Sequence, residues 1–324
     1  MTLTATTKVQ TDRRQMHRFA LGLLYLCLMA VAAIVLSSPA SGQTAKKKEA
    51  AEKDEKPKLR AVTLKTKDGV VLRAFYQASN KGKEAPTVLL VHEWNGQASP
   101  YGALVRALSD AGCAVLVPDY RGHGGSSEYK DMKGTTKQFN RKMMNKRDIE
   151  SIVSQDMEQA KRFLKEENND KKLNLNALVV IGVREGCVMG AHWAARDWTY
   201  AQIGAKKRGQ DVKAMVLISP KKTFKGVAFD QALTAPILSM PMMLVVGRGS
   251  PEAKEAERIY KRVETVKKKA QSVRDKPKGL EMTVTKSSLS GPRLALAPEV
   301  ISSVVKFVTS QVNISEEENP WVER

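Results

Sequence analysis

Histidine and cysteine are scarce in this sequence. Its 324 residues include four histidines and three cysteines, and no histidine follows His192. Only Cys113 and Cys187 lie beyond the N-terminal 42 residues, and both are in apolar runs. Two cysteines exclude a disulfide framework, and their apolar surroundings predict buried free thiols. Because the histidines are scattered without metal-ligand spacing, we expect no metal site.

Nucleotide-binding motifs are also missing. No Gly-x-Gly-x-x-Gly follows a predicted strand. The stretch GAKKRGQD at 204–211 has the glycine spacing of a phosphate loop. However, Gln210 and Asp211 stand where that loop requires Lys and Ser or Thr. We therefore expect no cofactor.

Acidic residues are few relative to basic ones. The chain has 34 Asp and Glu against 54 Lys and Arg, a formal net charge of +20. This balance favours anionic partners, so we consider an anionic small molecule or an anionic envelope surface, beside the simpler interpretation of solvated basic faces. The basic stretches lack the interleaved aromatic residues of nucleic-acid platforms, and no nucleic acid partner is expected.

Charge is absent from residues 19–36, an 18-residue apolar run preceded by three arginines. Small residues with the spacing of a cleavage site follow this run. Residues 1–42 are therefore predicted to be a signal peptide, or a membrane anchor that contacts the bilayer through residues 19–36 if it is not cleaved. Either alternative makes the protein extracytoplasmic: secreted, periplasmic or membrane-anchored. The charged, aperiodic residues 43–60 predict a disordered linker.

Buried strands and amphipathic helices alternate over residues 61–312. A hairpin around Asp68 and Gly69 opens this region. The alternation predicts an α/β domain with a mostly parallel, eight-stranded sheet and helices on both faces. Residues 313–324 are expected to form a C-terminal tail.

Three stretches carry a family resemblance: VLLVHEWNG at 88–96, LVPDYRGHGGSS at 116–127 and VVIGVREGCVMG at 179–190. Together they resemble the α/β-hydrolase superfamily, and its dienelactone hydrolase-like members in particular. The resemblance implies the α/β-hydrolase fold. It also implies that the first stretch supplies an oxyanion-hole amide and that the third forms the nucleophile elbow.

The residues of a hydrolytic triad are missing from the matching positions. In the resembled family a nucleophile, an acid and a histidine follow one another in the chain. Arg184, between Gly182 and Gly186, stands at the nucleophile position. After MMLVV the first carboxylate is Glu252, and no histidine follows the last predicted strand. The sequence therefore predicts a degenerate triad with no catalytic residue.

The candidates for ligand binding are the residues around this elbow: His92, Glu93, Trp94, Arg184 and Glu185. Because an unpaired charge in a cleft is costly, we expect an Arg184–Glu93 ion pair that partly closes the cleft. Glu185 is expected to point away along the helix. Two alternatives stay open: His92 and Glu93 belong to an ordinary packed turn, or Arg184 reaches solvent and holds an anion.

These features favour a non-catalytic pseudo-hydrolase that acts in binding or scaffolding. The alternative is an active esterase or peptidase-like hydrolase with a rewired site. A third hypothesis is an envelope-surface protein that acts through its basic faces.

Overall fold

The computed structural model describes residues 58–204 and 206–324. The predicted signal peptide or anchor at 1–42, and most of the predicted linker at 43–60, lie outside the described residues. The first strand begins at Arg60, one residue before the predicted start of the domain. In the part of the chain that is described, no helix is long and apolar enough to cross a bilayer.

Eight strands form the central sheet. The strands β4, β5 and β7 are buried over their whole length, as expected for strands that are covered on both faces. In chain order the strands are β1 (Arg60–Lys65), β2 (Val71–Gln77), β3 (Pro86–Val91), β4 (Ala114–Pro118), β5 (Asn174–Val183), β6 (Val212–Ile218), β7 (Met242–Gly247) and β8 (Leu280–Thr285).

The spatial order of the strands is β1-β2-β4-β3-β5-β6-β7-β8. The β1–β2 and β2–β4 pairs are antiparallel, whereas all other neighbouring pairs in this sheet are parallel. The prediction of a mostly parallel, eight-stranded sheet is therefore confirmed. Because strands β3 to β8 run in one direction, the loops that follow them emerge at the same edge of the sheet.

Helices cover both faces of the sheet. They are α1 (Gly102–Asp110), α2 (Lys146–Ser151), α3 (Met157–Asn169), α4 (Glu185–Asp197), α5 (Ala235–Ser239), α6 (Ala253–Gln271), α7 (Pro292–Ala295) and α8 (Pro298–Gln311). A π-helical segment, Ile152–Asp156, joins α2 to α3. Two small hairpins lie outside the sheet, at 128–138 and 223–228.

The alternation of side chains along the strands divides the core in two. Leu89 and Val91 of β3 belong to one apolar cluster, together with residues of α3, α4 and α6. Val88 and Leu90 belong to a second cluster, which includes residues of α1 and α8. Each face of the sheet therefore has its own core, because successive side chains of a strand point to opposite faces.

Residues 313–324 pack against the domain. The side-chain amide of Asn174 donates to the Asn319 carbonyl at 2.9 Å, and that of Asn176 donates to the Pro320 carbonyl at 3.0 Å. Arg324 forms an ion pair with Asp211, and its side chain is buried. The expected tail is thus a docked segment whose backbone carbonyls are hydrogen-bonded to the start of β5.

Candidate functional site

The elbow is a sharp turn between β5 and α4. Its apex, Arg184, has φ 51° and ψ −113°, a conformation that non-glycine residues rarely adopt. The flanking glycines permit the turn. A Cβ on Gly182 would lie 2.6 Å from the Cys187 Cα, and a Cβ on Gly186 would lie 2.1 Å from the Val91 carbonyl oxygen. This is the strained strand–turn–helix geometry of a nucleophile elbow, with an arginine at the apex.

The Arg184 side chain contacts residues from three other places in the chain. Its Nη1 donates to the Ser290 hydroxyl at 3.3 Å and lies 3.5 Å from Glu252 Oε1. Its Nε lies 3.7 Å from Glu185 Oε1. Gly291 makes room for it, because a Cβ there would lie 2.5 Å from the Arg184 Cδ. The guanidinium is therefore held against the loops that follow β7 and β8.

Glu252 is the centre of these contacts. The Ser290 hydroxyl donates to its Oε2 at 2.8 Å, and Lys221 Nζ lies 2.9 Å from its Oε1. Burial raises the pKa of the Glu252 carboxyl, but hydrogen bonds from Lys221 and Ser290 and the charge of Arg184 outweigh burial, so the pKa lies below its usual value. The carboxyl is therefore ionised at neutral pH.

We call the residues Arg184, Glu185, Lys221, Glu252 and Ser290 the elbow network. Its members follow four parallel strands: β5, β6, β7 and β8. Glu252 lies in the loop where the resembled family carries its acid, and Ser290 lies in the loop where it carries its histidine. The three loops that would hold a triad therefore meet, and they hold charged and hydroxyl side chains bonded to one another.

The predicted ion pair between Arg184 and Glu93 is wrong. Glu93 is buried and accepts a hydrogen bond from the Tyr101 hydroxyl, while its carboxylate lies close to Gly96, where a Cβ would be 2.0 Å from Glu93 Oε1. The loop after β3 turns this side chain towards the start of α1, and Arg184 finds its carboxylates in Glu252 and Glu185.

The expectation that Glu185 points away along its helix is also wrong. Glu185 Oε2 accepts a hydrogen bond from the Trp94 backbone amide at 3.2 Å. In the hydrolase fold, an amide of the loop after β3 and the amide that follows the nucleophile form the oxyanion hole. Here the Trp94 amide, which is a candidate oxyanion-hole donor, already donates to the Glu185 carboxylate of the same chain.

His92 and His123 stabilise the loop after β3. His92 is buried and stacks on Tyr120, with ring centroids 4.3 Å apart, and its Nδ1 contacts the Glu93 carbonyl at 2.7 Å. The ring nitrogens of His123 contact the carbonyls of Arg121 and Trp94. Burial lowers the pKa of each ring to about 4. Both rings are therefore neutral at pH 7 and have a packing role.

Cys187 and Cys113 are buried free thiols, as predicted. Cys187 lies in the first turn of α4, where a thiolate would be favoured by the helix dipole. Burial nevertheless raises its pKa well above the usual value, and its Sγ lies 3.5 Å from the Ile218 carbonyl oxygen. The thiol is therefore neutral and inaccessible. Among the described residues, no cluster of three or more His, Cys, Asp or Glu could hold a metal ion.

The order of the strands, the strained elbow and the convergence of the three loops define an α/β-hydrolase fold. The family model "Serine aminopeptidase, S33" matches residues 82–277. This chain therefore belongs to the S33 serine aminopeptidase family, within the α/β-hydrolase superfamily. The finer resemblance to dienelactone hydrolase-like members stays a prediction.

Solved structures of esterases share the fold. The Pyrococcus furiosus esterase Pf2001 superposes with a TM-score of 0.56 at 17% identity, over 79% of this chain and 92% of that one. The Pyrobaculum calidifontis esterase superposes with a TM-score of 0.52 at 15% identity, over 89% and 99% of the two chains. At such identities the likeness shows the fold and carries no residue roles.

A curated relative matches a shorter stretch. An uncharacterized protein of Mycobacterium tuberculosis (strain ATCC 25618 / H37Rv) is 37% identical over 70 residues, which are 22% of this chain and 25% of that protein. The match thus spans about a quarter of the relative's length.

Proposed function

We propose that this chain is a non-catalytic member of its family, a pseudo-hydrolase that acts in binding or scaffolding. The observation that carries the proposal is the elbow network. The apex holds a guanidinium that is bonded to Ser290 at 3.3 Å and lies 3.5 Å from Glu252. A guanidinium stays protonated in proteins and has no lone pair to attack a carbonyl carbon.

The Ser290–Glu252 contact is a poor substitute for a serine with its general base. An efficient base has a pKa near the working pH, whereas the pKa of Glu252 is lowered. Lys221 and Arg184 also hold this carboxylate in its ionised form. Proton transfer from the serine hydroxyl to Glu252 is therefore strongly unfavourable.

The position of Glu185 supports the same conclusion. An oxyanion hole works because its donors point at the place where negative charge develops. The Trp94 amide instead donates to the Glu185 carboxylate at 3.2 Å. A developing oxyanion at this place would meet a like charge and an occupied donor.

Export is part of the proposal and rests on the sequence of residues 1–42, with its apolar run and small-residue end. N-terminal sequencing of the exported protein should give a start near Ser41 or Gln43. A chain that still begins at Met1, in a membrane fraction that resists alkaline washing, would instead establish an uncleaved anchor.

An active esterase or peptidase-like hydrolase with a rewired site is the second candidate. The family description and the esterase fold neighbours favour it. In this alternative Ser290 would be the nucleophile and Glu252 its base, since their oxygens are 2.8 Å apart.

Hydrolysis of an aryl acetate and labelling by a fluorophosphonate separate the two candidates. The full chain is compared with Ser290→Ala and with Arg184→Ser. Ser303→Ala on α8 serves as the control, because Ser303 is half-buried and its hydroxyl donates within α8 to the Glu299 carbonyl. The pseudo-hydrolase predicts background turnover and no labelling in all four proteins. Labelling that is lost in Ser290→Ala and kept in Ser303→Ala would overturn the proposal in favour of a rewired enzyme.

A further inference from the structure

A strongly basic cleft lies apart from the elbow network. It has a volume of about 300 Å³ and is bordered by the β1–β2 turn, the π-helical segment, α3, the end of α4 and the chain that follows α4. Six cationic side chains line it: Lys67, Lys161, Arg162, Lys165, Arg196 and Arg208. We call these six residues the basic cleft. Glu158 is the carboxylate among its lining residues.

Half of these cations are not neutralised within the protein. Among the described residues, no carboxylate lies within ion-pair distance of Lys67, Lys165 or Arg208, and all three are exposed. Arg162 and Arg196 have only long ion pairs, at 3.6 Å to Glu166 and 3.7 Å to Glu158. The charges of these five side chains therefore remain largely available to an external anion.

The floor of the cleft is formed by Lys161, which is held in place by ion pairs and a hydrogen bond. Lys161 is buried, forms ion pairs with Asp197 and Asp211, and donates to the Arg208 carbonyl at 3.1 Å. These contacts join α3 to the end of α4 and to the segment that carries Arg208. The backbone segments that carry the exposed cations are thus held together before an anion binds. This lowers the entropic cost of binding.

An aromatic ring brings three of the cations together. The Tyr200 ring lies 5.6 Å from the Arg196 guanidinium carbon, 6.0 Å from that of Arg208 and 5.9 Å from Lys161 Nζ. Cation–π contacts at these distances partly offset the repulsion between like charges. The ring therefore helps to keep mutually repelling cations close in the absence of a bound anion.

A second cavity, of about 380 Å³, adjoins the first and shares Lys161, Lys165 and Arg208 with it. Lys207, whose pKa burial lowers to about 8, also lines this second cavity. Asp211 lines this cavity too and pairs with Lys207 and Arg324, so Lys206 is the cation here that has no carboxylate at ion-pair distance among the described residues. Lys165 and Arg208 therefore stand between two spaces, each of which adds one unpaired cation. This arrangement suits a ligand with more than one anionic group.

We propose that the basic cleft binds a compound that carries two or more phosphate groups. Guanidinium and ammonium donors are the usual partners of phosphate oxygens, and the Arg208 fork can bind two oxygens at once. The volume fits a small ligand or a lipid headgroup. The proposal is independent of whether the elbow network is catalytic, since the two sites share no residue.

Isothermal titration of the full chain, in neutral detergent, with inorganic pyrophosphate tests the soluble form of this ligand. Mixed micelles that contain cardiolipin, compared with phosphatidylcholine micelles, test the lipid form. The test variant is Lys165→Gln with Arg208→Gln, which removes two exposed charges. The control is Lys254→Gln with Lys261→Gln, which removes two exposed charges from α6, beside a cavity where Glu257 and Glu264 balance the lysines.

Binding of pyrophosphate or of cardiolipin micelles should weaken about tenfold or more in the test variant, because this variant loses two phosphate donors. In the control variant the affinity should stay within about twofold of that of the unaltered chain. Binding of pyrophosphate would assign a soluble phosphate compound, and binding of cardiolipin micelles alone would assign a lipid headgroup. Absence of binding in both arms, or equal weakening in the control, would overturn the proposal. The α6 control removes the same net charge, so it also detects attraction that depends only on the overall positive charge.

Discussion

The elbow network and the basic cleft both contain arginine and lysine, but among the described residues only the elbow network has a carboxylate within ion-pair distance of every cation. In the elbow network Arg184 and Lys221 share the carboxylate of Glu252, and Arg184 also lies near Glu185. In the basic cleft Lys165 and Arg208 have no carboxylate at ion-pair distance among the described residues. A cation in a cleft therefore indicates an anion site only when the protein does not already supply its counter-ion.

The largest expected effect concerns acid and the loop that borders the elbow network. The pKa values of His92 and His123 are lowered to about 4 in the folded state, against about 6.5 when unfolded. The unfolded chain therefore binds more protons, and stability should fall as the pH drops from about 6.5 to 4. We expect a loss on the order of several kcal/mol between pH 7 and 4.5, measured by urea unfolding.

Carboxylates also contribute to acid unfolding, so the pH effect alone does not identify the histidines as its cause. Imidazole ¹⁵N NMR of the folded chain identifies their contribution. Two ring signals should keep their neutral shifts down to about pH 5. If all of the histidines within the described residues titrate near their ordinary value, the buried rings do not cause the loss.

Removal of the shared counter-ion has the next largest effect. Glu252→Gln leaves Arg184 and Lys221 close together without a carboxylate between them, and this should lower the free energy of unfolding by about 2 kcal/mol. Lys165→Gln in the basic cleft should change it by less than about 0.5 kcal/mol, since no ion pair is lost. Urea unfolding at neutral pH compares the two variants, and similar losses would remove the distinction between the two regions.

The smallest expected effect on stability comes from the strained backbone at Arg184. Arg184 has φ 51°, so Arg184→Gly should be more stable than Arg184→Ala by about 1 kcal/mol. At Lys165, in the exposed part of α3, the order should reverse, because glycine is about 1 kcal/mol worse than alanine inside a helix. Thermal unfolding of the four variants tests both signs. Equal stabilities at the apex would show that the elbow is not strained.

The fold could be predicted because its signal is local and repeated. Each buried run, such as that of β5, is bounded by turn residues, and the glycines at 182 and 186 leave no room for side chains. The alternation of strands and helices then leaves few topologies open. The loops that would hold a triad could also be located, because each one follows a recognisable strand.

The contacts among those residues could not be predicted. Glu93 is near Arg184 in strand order, but the direction of its side chain depends on Tyr101, which lies eight residues away, just before α1. Lys221 and Ser290 carry no signal of their own, since isolated lysines and serines are common in loops. The basic cleft was visible only as an excess of charge, because Lys67, Lys165 and Arg208 are far apart in the chain.

The hydrogen bond from the Trp94 amide to Glu185 has a consequence for competition. The carboxylate is attached to the chain beside its donor, so its effective concentration at that amide far exceeds that of a dissolved carboxylate or ester. An external group that binds the Trp94 amide must therefore displace the tethered Glu185 carboxylate. At an unpaired amide it would have to displace only a water molecule. A ligand that also bonds the Arg184 guanidinium would offset part of this cost, because Arg184 Nε lies 3.7 Å from Glu185 Oε1.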